Sequence, residues 1–196
     1  MIPEVILLAL LTGWIFGGKF SRLADAKIRY VWLIFVPIVL YVASWAATMI
    51  TPAAKLGWLF GSMAIIEKAA LIAVVVANLR LPGAKLILVG MILNLIALSA
   101  NHGMMPADPG ALTTAFGKGY VEATRSATHV RSAIMDASTE LGFLCDVVAA
   151  RRPFVFLPAV YSIGDLTMTA GIFVAIIALM RTPLPGERKQ VETAPE

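Results

Sequence analysis

Five long apolar stretches divide this chain: about Ile2 to Gly18, Tyr30 to Ile50, about Gly57 to Leu79, Ala84 to Ala100, and about Tyr161 to Met180. Each approaches the roughly 20 residues needed to cross about 30 Å of hydrocarbon at 1.5 Å per residue. Prolines 52, 82, 106, 109, 153, 183 and 185 fall between or beyond these stretches, where turns belong. Gly13, Pro37 and Gly90 lie inside them, which a membrane helix tolerates because neighbouring helices satisfy loosened backbone groups. The pattern predicts an all-α integral membrane protein with about five transmembrane helices. It forms a single polytopic domain over 1–181, with an outer segment at 101–160 and a flexible cytoplasmic tail at 182–196.

The outer segment is too long for a simple connector. Its first part, NHGMMPADPGALTTAFGKG, is turn-rich and reads as irregular. Further on, Val130, Ile134, Ala137, Leu141, Leu144 and Val148 recur at alternating steps of four and three. At roughly 100° per residue they form one narrow apolar stripe, predicting an extracytoplasmic amphipathic helix between the fourth and fifth spans. Such a helix would cover the outer ends of the bundle.

Composition supports the membrane reading. With 59% hydrophobic and 14% charged residues, the chain falls well short of the roughly 25% charge of soluble domains, and is too apolar for a disordered one. Its lone cysteine, Cys145, excludes an internal disulfide framework and any multi-cysteine metal site. His102 and His129 are poorly spaced for a shared metal, and no third ligand is indicated, so no metal or cofactor is expected. The net charge of +4 reads as an orientation signal, without nucleic acid as a partner. Lys19, Arg22, Lys27, Arg29, Arg80, Lys85, Arg181, Arg188 and Lys189 gather on one side, and Lys55 alone sits on the opposite short loop. The positive-inside rule then places the N-terminus outside and the C-terminus in the cytoplasm. Glu4 and the absence of early basic residues mark the first stretch as a retained span instead of a cleaved leader.

Against this background a few polar residues stand out. Glu67 and Lys68 fall near the middle of the third stretch, where an ionisable group needs a partner, neutralisation or a cavity. Adjacent helical residues diverge by about 100°, so the two are a poor internal pair. Asn94 and Asn101, seven apart, share a face of the fourth span with Leu98 between them, as interhelical glue or a polar site. His102 comes next, in the turn. Asp165 lies in the first turn of the fifth span, where the helix dipole favours a carboxylate and Ser162 can serve as N-cap. Asp146, in the apolar run GFLCDVV, is its candidate partner, because two acids sharing a proton can activate water. On an unbroken amphipathic helix, however, Asp146 would point about 160° from the apolar stripe.

Two motifs, Asn101-His102-Gly103-Met104-Met105-Pro106 and Tyr161-Ser162-Ile163-Gly164-Asp165, resemble the signature of the bacterial membrane family called domain of unknown function five-three-one-seven. That family carries an Asn-Gly-Gly-x-Met-Pro turn and a Ser-Ile-Gly-Asp start to its last span, so His102 stands in place of the middle glycine. Leu144-Cys145-Asp146 is similar to the family's aspartate-bearing stretch. The resemblance runs along most of the chain and implies a polytopic protein of the bacterial inner membrane, without supplying an activity. A more distant likeness is to lipoprotein signal peptidase, an aspartyl protease whose final span begins Asn-x-Ala-Asp. Ser162-Ile163-Gly164-Asp165 is similar to that start, and Leu93-Asn94-Leu95-Ile96-Ala97-Leu98 is similar to its Gly-Asn-Leu-Ile-Asp-Arg stretch. Ala97 stands where that stretch has aspartate, so Asp165 alone carries over as catalytic and Asp146 would have to replace the lost partner.

Three classes of function are compatible with these features. The first expectation is a non-enzymatic membrane component that meets lipids and another membrane subunit. The second is a lipid, solute or ion handler using Glu67, Lys68 and the face of Asn94 and Asn101. The third is a membrane aspartyl hydrolase using Asp165 with Asp146.

Overall fold

A computed structural model describes residues 2–50, 57–126, 132–153 and 155–182. The protein is mostly helical. Its principal helices are α1 (Ile2–Ile15), α3 (Phe35–Ile50), α4 (Gly57–Ala77), α5 (Ala84–Ala100) and α8 (Ile163–Arg181), with the short α2 (Ser21–Ala24) after α1 and a 3₁₀ turn (Val31–Ile34) before α3. Leu59–Ala77 and Ile163–Arg181 are long and apolar enough to cross a membrane by length and composition; Ile2–Ile15, Val31–Ser44 and Ala84–Ala100 are apolar but shorter. Two of the five expected spans therefore have crossing length. Large apolar side chains cover the outside: Leu7, Leu8 and Leu11 on α1, and Phe35, Ile38 and Val39 on α3, are all exposed. Trp14, whose depth in the sequence suggests inward packing, is 61% exposed. The tail expected at 182–196 lies outside the described residues from 183 onward.

Helix α8 is central, packing on both α5 and α1, while α4 lies on the other side of α5. Glycines seven apart on each helix set the α5–α8 crossing: Gly83 and Gly90 meet Gly171 and Gly164 in antiparallel order. A Cβ at Gly171 would come within 2.7 Å of the Ile87 backbone nitrogen and 2.9 Å of the Gly83 carbonyl, so larger residues would hold the helices apart. Asn78, which the apolar pattern gives no reason to single out, pins the opposite end of the bundle. Its side chain accepts from the Arg29 N–H (2.8 Å) and donates to the Arg29 carbonyl (2.9 Å).

The segment between α5 and α8 departs from expectation. The predicted amphipathic helix is not formed. Val130 lies outside the described residues, and the chain beyond it runs through β2 (Ser132–Ile134), a 3₁₀ turn (Gly142–Leu144) and β3 (Val148–Ala150). Local side-chain bonds replace a helical ladder here. The Asp136 carboxylate accepts from the Ser138 N–H (2.8 Å) and hydroxyl (2.6 Å), and the Asp136 N–H donates to the Thr139 hydroxyl (3.0 Å). Leu141 then takes a left-handed conformation (φ 50°), which no continuous helix accommodates. Conversely, the part read as irregular holds β1 (Met105–Ala107) and α6 (Pro109–Phe116), and α7 (Lys118–Ser126) begins at its end. Asp108 caps α6 by accepting from the Ala111 N–H at 2.7 Å, with Pro109 at the first helical position.

β1 pairs in parallel with β2, and β3 pairs antiparallel with β4 (Ala159–Tyr161) in a register that opposes Val148 to Tyr161. Buried Ala97, Leu144 and Cys145, with Leu93, Met105 and Met135 around them, fasten this cap to α5. A second cluster of Ala107, Leu112 and Val121 joins β1 to α6 and α7.

Candidate functional site

The β3–β4 hairpin brings the two aspartates to one place. Asp146 sits just before β3, with its backbone joined to β1: its N–H donates to the Pro106 carbonyl (3.0 Å), and its carbonyl accepts from the Asp108 N–H (2.9 Å). The ladder continues through the Val147 N–H to the Tyr161 carbonyl at 3.1 Å. Immediately after Tyr161 the chain turns into α8, with Ser162 as N-cap. Ser162 Oγ accepts from the Asp165 N–H (2.9 Å), while Asp165 Oδ2 accepts from the Ser162 N–H (3.3 Å), a complete capping box. The N-cap role expected of Ser162 is thus what the chain adopts. Asp146 is extended instead of helical, so the 160° displacement expected on a helix does not arise.

Asn94 of α5 completes the arrangement. Its Nδ2 donates to Asp165 Oδ1 at 2.7 Å, and its Oδ1 accepts from Ser162 Oγ at 2.7 Å. Asn94 and Ser162 are buried, and a Cβ on Gly164 would collide with the Asn94 carboxamide. The glycine approach of the helices therefore also makes room for the polar bridge.

Asp146, Asp165, Asn94, Glu67 and Lys68 all line one cavity of about 220 Å³. Ala64, Leu98 and Met105 supply apolar wall between them. Glu67 and Lys68, adjacent on α4 and expected not to face a common neighbour, both line this space. Burial pushes the Asp146 carboxyl up from its ordinary 3.8 to about 7; the charge of Asp165 pushes the same way, and Lys68 pulls against both. Around neutral pH, Asp146 is poised between its acid and its anion.

Asn101 and His102 are not brought into this cavity. Asn101 caps α5 and clamps the loop ahead of Cys145: Nδ2 donates to the carbonyls of Ala97 (2.8 Å) and Glu140 (2.9 Å), and Oδ1 accepts from the Glu140 N–H (3.0 Å). His102 is exposed and left-handed (φ 54°). Close backbone approach at this turn belongs to Gly103, which is packed against Gly61 of α4 with φ 81°. The thiol of Cys145 is buried beneath Asn101 and pushed above its ordinary range by that burial and by Asp146. His129, weighed above as a metal ligand, lies outside the described residues. Among the described residues, no group of three His, Cys, Asp or Glu side chains could hold a metal ion. Sequence reasoning missed the Asn94–Asp165 bond. Its available signal was depth: both residues lie within roughly two turns of the same end of the bundle.

Fold and site together define a helical protein of apolar surface carrying a buried polar bridge and two aspartates on one cavity under a small mixed cap. The chain belongs to DUF5317, a family of unknown function, whose model matches residues 25–177. No curated protein and no solved structure matches it.

Proposed function

We propose that the chain is a multi-pass protein of the bacterial plasma membrane and an aspartyl hydrolase whose acid pair is Asp146 and Asp165. The N-terminus and the segment 101–160 lie on the outer face, and the C-terminus is cytoplasmic. The membrane reading is supported by the exposed leucines and tryptophan of α1, by the exposed apolar residues of α3, and by the bias of basic residues among the short loops and tail, apart from the long segment 101–160.

The observation that carries the hydrolytic reading is the pairing of two carboxyls on one cavity, with Asp146 protonatable near neutral pH. Capping of α8 accounts for Asp165 alone; Asp146 caps no helix, and half-burying a second acid on the same cavity costs stability. In the reaction, Asp165, held by Asn94 and the Ser162 N–H, takes a proton from water. The water oxygen bonds to the carbonyl carbon of an amide while protonated Asp146 donates to the carbonyl oxygen. The resulting tetrahedral diol then breaks its C–N bond. The leaving nitrogen receives the proton held by Asp165, the proton of the collapsing hydroxyl returns to Asp146, and a carboxylic acid and an amine depart. The substrate class is a polypeptide presented at the membrane surface.

The test is incubation of the purified protein with synthetic peptides that join an apolar segment to a polar one, in water enriched in ¹⁸O. New carboxyl termini carrying the label are expected from the natural chain and not from D146N or D165N. Cleavage that survives D165N, or no cleavage by the natural chain, refutes the reading. Glu67 on the same cavity supports a second reading, binding of a cationic solute. That reading predicts saturable guanidinium or alkylammonium binding lost in E67Q, with no new termini.

A further inference from the structure

We infer that the tip of the β3–β4 hairpin, residues 151–153 and 155–158, is a surface anchor that seats in the anionic headgroup layer of a lipid bilayer. Phe156 and Leu157 are 59% and 73% exposed, a large apolar pair at the end of a turn. Arg151 and Arg152 are exposed beside them, and no acidic residue occurs between 151 and 158. Aromatic and aliphatic side chains flanked by arginines suit the boundary where acyl chains meet phosphates: the apolar groups enter and the guanidinium groups stay at headgroup level.

The height of the tip is set by a hydrogen bond. The Phe156 N–H donates to Glu4 Oε1 at 2.6 Å, in the first turn of α1. From that turn the exposed apolar face of α1 continues through Leu7, Leu8 and Leu11. The tip therefore lies where a lipid-facing helix begins, and its apolar residues extend that surface sideways. Because the same hairpin carries Asp146 into β3 and delivers β4 to Ser162, seating the tip holds the acid pair at the bilayer surface. The inference rests on the membrane reading above, not on the hydrolytic one.

Depth-dependent fluorescence quenching tests it. The full chain, with Phe156→Trp as sole tryptophan, is reconstituted in vesicles of phosphatidylcholine and phosphatidylglycerol containing lipids brominated at shallow or deep chain positions. Leu157→Trp provides a second reporter if the first variant folds poorly, and the natural Trp14 retained as sole tryptophan reports on α1. The expected result is blue-shifted emission from the tip, losing most of its intensity to shallow bromines and little to deep ones. Replacing both arginines by glutamate should lower that quenching at least twofold in phosphatidylglycerol vesicles. Quenching that is unchanged by those replacements overturns the anionic preference. Solvent-like, unquenched emission from the tip while Trp14 is quenched overturns the anchor and leaves the membrane reading standing. Loss of quenching at both places overturns the two together.

Discussion

Asp146→Asn removes a carboxyl whose ionisation the fold resists, and its effect on stability can be worked out in sign and size. The folded protein holds the Asp146 proton up to about pH 7, against an ordinary value of 3.8. Between these values the folded state binds more protons than the unfolded one, so stability falls as pH rises. The contribution is fully present below the unfolded value and lost once pH has risen through the folded one. Three units correspond to a ceiling of about 4 kcal/mol at roughly 1.36 kcal/mol per unit. An amide of nearly the same shape cannot ionise and carries none of this dependence. D146N should match the natural protein near pH 4 and exceed it at pH 8, raising the thermal midpoint there by up to about 8–16 °C for a chain of 196 residues. Tryptophan fluorescence during heating in nanodiscs, at a series of pH values, reads both quantities. A natural protein equally stable across that range, or a D146N variant with the same slope, would refute the placement of Asp146 beside Asp165 in a half-buried cavity.

Other substitutions probe the rest of the site. Lys68→Met removes the positive charge that holds Asp146 down, so the midpoint of the pH–stability curve should move to higher pH, with K68R restoring it; an unmoved midpoint excludes Lys68 from the electrostatics. Asn94→Leu removes the acceptor of the Ser162 hydroxyl hydrogen and the donor to Asp165 Oδ1, and should cost about 1–3 kcal/mol for the buried Ser162 hydroxyl, which keeps only its bond from the Asp165 N–H, measured by urea unfolding in detergent. Gly164→Ala puts a methyl within 2.6 Å of the Gly90 carbonyl and against the Asn94 carboxamide. It should destabilise by about 1–3 kcal/mol, whereas Gly119→Ala, with open space around it, should be neutral in the same melts.

Much of the helical skeleton is legible in the apolar stretches, because hydrocarbon runs of this length have few alternatives to a helix. The Ser162–Asp165 cap is legible too, since an N-cap and a first-turn acid are local chemistry. The cap over the bundle is not. The apolar residues from Val130 to Val148 keep a helical period, yet Ser138, Thr139 and Asp136 satisfy one another locally, and Leu141 turns left-handed. Periodicity counts positions and is blind to that competition. Asp108-Pro109 was an available helix-start signal within a stretch dominated by turn residues. Asp146 could be named as a partner for Asp165, but their meeting depends on strand pairing between β3 and β4. That is a long-range fact which no spacing rule encodes.

The ladder between Val148 and Tyr161 also separates the spacing of the two aspartates from the length of the membrane-facing tip. Both acids lie on the bundle side of this rung, and the loop from Arg151 to Pro158 lies on the other. Residues can be added to or removed from that loop while the rung keeps Asp146 and Ser162 in place. A single residue inserted between Asp146 and Val148 would instead rotate the aspartate to the opposite face of its strand. Length variation among relatives should therefore concentrate at the loop, leaving the two-residue step from Asp146 to β3 and the four-residue step from Tyr161 to Asp165 fixed.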